Sequence, residues 1–262
     1  MEAPEPLQEW PRTRVLPLEG GRNFRDLGGY ATQDGRHVRW GVLFRSGSLA
    51  RLTRADWNHL AVRGVRALCD LRSTGERASE PVQLADLPSV SYWARDYTTS
   101  FAELRAMLRT HFATADAARQ GMISGYRELP FEQAPSYRQL FASLKAGHIP
   151  LIFNCSAGKD RTGTAAALIL RALGVPRLTV VEDFVLTNEV LDLQKLLLER
   201  AGSSWAKHPP EVVGAITRAD PAYIQAALDS IDERHGSIAG FLADELDVNE
   251  RDLQLIKDAL LE

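Results

Sequence analysis

Cysteine is scarce. The 262-residue chain has two, Cys69 and Cys155. Two are too few for a disulfide framework or a four-cysteine zinc site. No apolar run approaches the roughly 18 residues that span a bilayer, so no integral membrane segment is expected. Met1 to Arg14 holds three glutamates and three prolines and no apolar stretch, unlike a conventional secretory signal. The expected location is the cytoplasm, or outside the cell by export without a conventional signal peptide. Neither sign of charge dominates. A formal net charge of -3 argues against a nucleic-acid partner. The six histidines show no close metal-ligand spacing and no His-Glu-x-x-His occurs, so no metal or cofactor is expected. Gly-x-Gly-x-x-Gly and Gly-x-Ser-x-Gly are absent too. Gly158-Lys159 is followed by aspartate, not Ser or Thr, which excludes a Walker loop.

What is present is ordinary globular composition, 45% hydrophobic and 25% charged. The length fits one large domain or two small ones. Residues 1–18 read as a polar, proline-rich lead-in and 19–262 as a single domain. Asp34-Gly35 is a hairpin-turn signal. Val65 to Leu71, Val90 to Trp93 and Pro150 to Phe153 read as short buried strands. Thr53 starts a helix that Gly64 stops. Residues 101–146 read as helical with a break between Gly121 and Phe131. Thr162 to Leu173 is a helix closed by Gly174 and Pro176. Beyond 177 the pattern is helical, with starts at Asp220-Pro221 and Asn249-Glu250. Strands alternating with helices predict an α/β layer fold around a central sheet. Residues 36–77 hold nine arginines against three acids. Most read as solvated surface or salt bridges; the alternative is attraction of an anionic substrate. No feature specifies an oligomeric state.

One segment carries chemistry: Phe153-Asn154-Cys155-Ser156-Ala157-Gly158-Lys159-Asp160-Arg161-Thr162-Gly163. It runs strand, loop, helix. A helix N-terminus presents unpaired N–H groups and about half a positive charge. A loop feeding into it can add further N–H groups to make an anion nest. Small residues at 156, 157 and 158 let the backbone close, and Gly158 can take positive φ. Arg161 can grip two phosphate oxygens through its planar fork. Cys155, at the floor of the nest, would face the phosphorus as a thiolate nucleophile. A bare Cys-x5-Arg is a weak signal. The apolar strand before it and Arg-Thr-Gly after it make the match far more specific.

The loop resembles that of cysteine-dependent protein tyrosine phosphatases, and more narrowly the bacterial MptpB/LipA-like family. Asn23-Phe24-Arg25-Asp26-Leu27-Gly28-Gly29, Leu43-Phe44-Arg45-Ser46, and Asp70-Leu71-Arg72 with Glu76-Arg77 resemble the same family's N-terminal motifs. Gly236-Ser237 and the acidic helical end resemble its C-terminus. The likeness covers about residues 18–260. It implies a tyrosine/dual-specificity phosphatase-like fold: a central, mostly parallel sheet flanked by helices, a helical lid within 101–130, and a helical C-terminal part. It implies a phosphatase acting on phosphotyrosine, and on phosphoserine, phosphothreonine or phosphoinositides in some relatives. The partner would be a phosphorylated protein or phosphoinositide substrate.

Roles follow by position. Cys155 is the expected nucleophile, and Arg161 clamps the phosphoryl oxygens. Ser156, Ala157, Gly158, Lys159 and Arg161 supply backbone N–H groups, and the Thr162 hydroxyl is placed to bond the sulfur or to cap the helix. No Trp-Pro-Asp occurs, the tripeptide on which many tyrosine phosphatases carry their general acid. The family places an aspartate directly before the arginine, which implies Asp160; Asp70 and Asp96 are its rivals. Asp70 reads first as the structural partner of a nearby arginine. Lys159 beside Arg161 favours a substrate with more than one phosphate, as in phosphoinositide phosphatases; the plainer alternative is a surface lysine. Asn154 stands where many relatives have histidine. It can hydrogen-bond the loop but carries no charge. Cys69 reads as core packing, with a resolving thiol as the alternative. Two competing functions remain: a phosphate-binding module without turnover, and a rhodanese-type sulfurtransferase.

Overall fold

Three fully buried tetrapeptides make the centre of the molecule. In the computed structural model, which describes residues 12–83, 90–98, 114–201 and 208–262, the strands are β1 (Arg25–Asp26), β2 (Leu43–Ser46), β3 (Ala67–Asp70), β4 (Ser91–Ala94) and β5 (Leu151–Asn154). They form one sheet in the order β1-β2-β5-β3-β4. Only the β1–β2 pair is antiparallel. The expected central, mostly parallel sheet is therefore present. β5 lies between β2 and β3, with Asn154 level with Ser46 on one side and Asp70 on the other. The carboxyl ends of three parallel strands thus meet at one edge, where open α/β sheets gather their ligand-binding loops.

Alternation along the strands buries both faces. Phe44, Ile152 and Leu68 stand in one cross-strand row and pack with Trp57 and Leu60. Those two come from helix α1 (Arg54–Val62). Each such buried side chain contributes roughly 1.5–3 kcal/mol. Leu43, Leu151, Ala67, Phe153 and Cys69 face the larger core on the other side. Among the described residues the remaining helices are α2 (Thr74–Ser79), α3 (Ala115–Glu132), α4 (Ala134–Lys145), α5 (Asp160–Leu173), α6 (Arg177–Val185), α7 (Thr187–Val190), α8 (Leu193–Ala201), α9 (Pro210–Thr217), α10 (Pro221–His235), α11 (Ile238–Leu246) and α12 (Glu250–Leu260). The helical C-terminal part is as expected. None of the described helices is long and apolar enough to cross a membrane.

The expected break between Gly121 and Phe131 does not occur, since α3 runs unbroken to Glu132 with Pro130 inside it. Two glycines and a proline cost a helix interior several kcal/mol by propensity. Burial of Met122, Tyr126 and Leu129 offsets that cost. Tyr126 packs against the rings of Phe184 on α6 and Tyr223 on α10. Of the expected lid, 101–113 lies outside the described residues, as do 1–11 of the lead-in.

Asp56 fixes how the chain enters the sheet. Its carboxylate accepts from the Glu19, Gly20 and Thr53 backbone N–H groups, each at 2.9 Å. Thr53 and Asp56 form a reciprocal capping box at the start of α1. Asp56→Ala should cost about 1–2 kcal/mol, read as a lowered thermal midpoint.

Candidate active site

Cys155 follows β5 directly and is 1% exposed. Its backbone N–H donates to Ser46 O at 3.4 Å. From there the loop turns its carbonyls away from its own centre. Ser156 O accepts from Ser48 N at 3.0 Å and from Arg22 Nη1 at 3.2 Å. Ala157 O accepts from Asn23 Nδ2 at 3.3 Å. Gly158 O accepts from the same Nδ2 at 3.0 Å and from Arg45 Nη2 at 2.8 Å. In a trans peptide the N–H points opposite the carbonyl. The N–H groups of Ala157, Gly158 and Lys159 therefore face inward and join those at the start of α5, making the anion nest. Gly158 has φ +72°, and a Cβ there would meet Gly47 N at 2.6 Å. Glycine is the residue that fits.

Arg161 is held from behind. Its Nη1 and Nη2 donate to the two Glu76 carboxylate oxygens at 2.6 and 2.8 Å. Nη1 also donates to Leu71 O at 3.1 Å and Tyr97 Oη at 3.2 Å. Tyr137 Oη donates to Arg161 O at 2.9 Å. Among the described residues nothing accepts from Nε or from the second Nη2 hydrogen, so one edge of the fork keeps two donors. Glu76 also accepts from the Ser156 hydroxyl at 2.5 Å. Burial pushes its carboxyl up, but the Arg161 charge and these hydrogen bonds outweigh that and hold it far below the usual carboxylate range. The same pairing outweighs the burial of Arg161 and keeps its guanidinium charged.

Asp160 is 7% exposed. Its Oδ1 accepts from Tyr126 Oη at 2.6 Å and lies 3.3 Å from Lys159 Nζ. The Lys159 side chain is buried. Its ammonium donates to the carbonyls of Ile216 at 2.6 Å and of Thr217 and Arg218 at 3.4 Å. A helix C-terminus is a favourable place for a cation. In this conformation the side chain expected to meet substrate is engaged by α9, and Lys159 offers the cradle its backbone N–H. The Thr162 hydroxyl donates to Ser46 O at 3.3 Å, which ties α5 to β2.

Among the described contacts the Asp70 carboxylate hydrogen-bonds none of residues 155–161. It forms a buried pair with Arg72 at 2.6 Å and accepts from Tyr92 Oη at 3.1 Å and Asn154 Nδ2 at 3.3 Å. This is the structural partnership read first for it. Asn154 links β5 to β3 through that contact. Asp96 is exposed and pairs with Arg77. Cys69 is buried on β3, with Sγ 3.9 Å from Ser143 Oγ. Burial pushes its thiol up to about 12. Among the described residues no cluster of three His, Cys, Asp or Glu could hold a metal.

Sequence reasoning assigned no role to Glu76, Asn23, Arg45 or Tyr126. The one local signal was Ser73-x-x-Glu76, a capping-box pattern that the structure shows formed at the start of α2. Glu76→Gln keeps the volume and deletes the charge. It should lower kcat/KM at least tenfold and cost about 2 kcal/mol of stability. The folded-state carboxyl lies below its unfolded value, so its stabilisation is present above the ordinary glutamate value of 4.5 and fades as pH falls below it. Denaturation from pH 7 to pH 3 should show a constant gap between wild type and variant, then a narrowing one.

Comparison with known proteins agrees with the geometry. The family model described as "Tyrosine phosphatase family" matches residues 16–262. A Cupriavidus necator protein provisionally named a tyrosine-protein phosphatase is 33% identical, covering 87% of this chain and 82% of its own. The triple specificity protein phosphatase PtpB of Mycobacterium tuberculosis is 30% identical over 88% of this chain and 93% of its own. A tyrosine-protein phosphatase of Nostoc commune is 29% identical, covering 81% and 72%. The chain belongs to the tyrosine phosphatase family and is a protein-tyrosine phosphatase.

Proposed function

We propose that the protein hydrolyses phosphotyrosine through a cysteinyl-phosphate intermediate, and that phosphoserine, phosphothreonine and phosphoinositides are further substrates. The observation that carries this reading is the cradle. Three successive carbonyls are tied outward around a buried cysteine, and an arginine is braced so that one edge stays open. The name of the mycobacterial relative, a triple specificity phosphatase, supports the wider range.

The Cys155 thiolate attacks phosphorus, forming an S–P bond as the ester P–O bond breaks. Asp160 gives its proton to the departing oxygen. The inward N–H groups and the Nε edge of Arg161 take the charge that builds on the equatorial oxygens. Asp160, now a carboxylate, then takes a proton from water as that water attacks phosphorus and the thiolate leaves. Tyr126 Oη donates to Asp160 Oδ1 and Lys159 Nζ lies 3.3 Å from the same oxygen, which holds the carboxyl group in place for both steps.

Turnover of p-nitrophenyl phosphate and of a phosphotyrosine peptide, both with a chelator present, tests the reading. Cys155→Ser should lose activity on both by about a thousandfold or more. Asp160→Ala should lose about a hundredfold or more on the peptide and much less on p-nitrophenyl phosphate, whose leaving group needs little protonation. A wild type that binds vanadate and turns over neither substrate would make the protein a phosphate-binding module.

A further inference from the structure

Behind the cradle lies a group of buried charges that the reaction does not touch. Arg25 and Arg45 stand directly opposite each other on β1 and β2. Both are 0% exposed. Like charges facing each other across two strands are destabilising, and burial adds to the cost. Burial, then Arg45, pulls the Arg25 guanidinium down to about 9. Among the described residues one carboxylate answers the two cations. Asp183 on α6 pairs with Arg45 and lies 3.7 Å from Arg25 Nε. Burial pushes its carboxyl up, but the two arginines outweigh that and keep it ionised. Tyr30 Oη donates to the same carboxylate at 2.9 Å, and the Arg14 guanidinium lies over the Tyr30 ring. The group retains excess positive charge, which stability alone would select against.

Its hydrogen bonds say where that charge is directed. Arg45 Nη2 donates to Gly158 O at 2.8 Å. Arg25 donates to Asn23 Oδ1, which turns the Asn23 amide N–H groups onto the carbonyls of Ala157 and Gly158. Asn23 sits at φ +51° to make this reach. A cation bonded to a carbonyl polarises that peptide and strengthens its N–H as a donor. The N–H in question is that of Lys159, which faces into the nest.

We propose that Arg45 and Asn23, braced by Arg25 and Asp183, are positioning residues for oxyanion binding, which hold the loop carbonyls outward and sharpen the Gly158 and Lys159 N–H groups as donors to the bound phosphoryl group. This rests on the phosphate-cradle reading above and adds to it a cationic layer the substrate never touches.

Calorimetric titration of the full chain with vanadate reads the effect without requiring turnover. Arg45→Met should weaken vanadate binding tenfold or more. Arg45→Lys keeps the charge and can reach Gly158 or Asp183 but not both; it should fall between wild type and Arg45→Met. Asn23→Gly is tolerated at positive φ and deletes the amide; it should weaken binding threefold to tenfold. Asn249→Ala, destabilised by loss of the α12 N-cap and bonded to none of the loop's partners, should bind as wild type does, which separates positioning from general loss of stability. Arg45→Met and Asn23→Gly both binding within twofold of wild type would overturn the proposal. If Arg45→Met fails to fold, Asn23→Gly decides by the same threshold. A wild type that binds vanadate without hydrolysing either substrate would sink the enzymatic reading while these affinities still decide this one.

Discussion

The site depends on the orientation of three peptide groups. Between Cys155 and Asp160 the backbone turns its carbonyls outward and its N–H groups inward. Left alone, three buried carbonyls would each cost about 1–3 kcal/mol. Among the described residues every partner that removes that cost comes from the first 48 residues: Arg22, Asn23, Arg45 and Ser48. Strand order makes this feasible. β2 lies beside β5, so the residues around Ser46 run alongside the loop. Gly158 completes the fit because no Cβ can stand between it and Ser46-Gly47.

Charge near the site is sorted by the same logic. Of the nine arginines between 36 and 77, Arg72 pairs with Asp70, Arg77 with Asp96 and Arg36 with Asp34. These follow the bland expectation for a basic stretch. Arg45 alone in that stretch donates to a carbonyl of the cradle. Excess charge read as a regional property thus says little here, and what one guanidinium bonds to says more. Arg161 shows the complementary case. Glu76 matches its charge but takes only one side of the fork, so neutralisation and availability coexist.

The elements legible in the sequence were those whose cause is local. Leu151–Asn154 and Ala67–Asp70 are short apolar runs bounded by breakers, and both are strands. Gly174 closes α5 at φ +92°. Cys155, Gly158 and Arg161 could be placed because the strand–loop–helix pattern is contiguous. What could not be read was long-range. Nothing near Glu76 says that it will meet a residue 85 positions away. Asn23 and Arg45 were visible as parts of family-like motifs, but their purpose lies on the loop between 156 and 158. The break expected in α3 failed for a related reason. Propensity is local, whereas the packing of Tyr126 against α6 and α10 is not.

Lys159 shows how the two parts of the molecule converge on the loop. A buried ammonium needs several acceptors, and it finds them at the carboxyl end of α9 and on Asp160. Asp160 in turn meets Tyr126 of α3, and the Arg161 carbonyl meets Tyr137 of α4. Carbonyls 156–158 are thus tied to the N-terminal strands, while residues 159–161 are tied mainly to the helices. The five-residue turn between Cys155 and Arg161 is the seam where both halves are joined. Neither half alone can set its shape, because removing the strands frees the carbonyls and removing the helices frees the buried charges. The match to the family model likewise extends from residue 16 to residue 262, well beyond this one short loop.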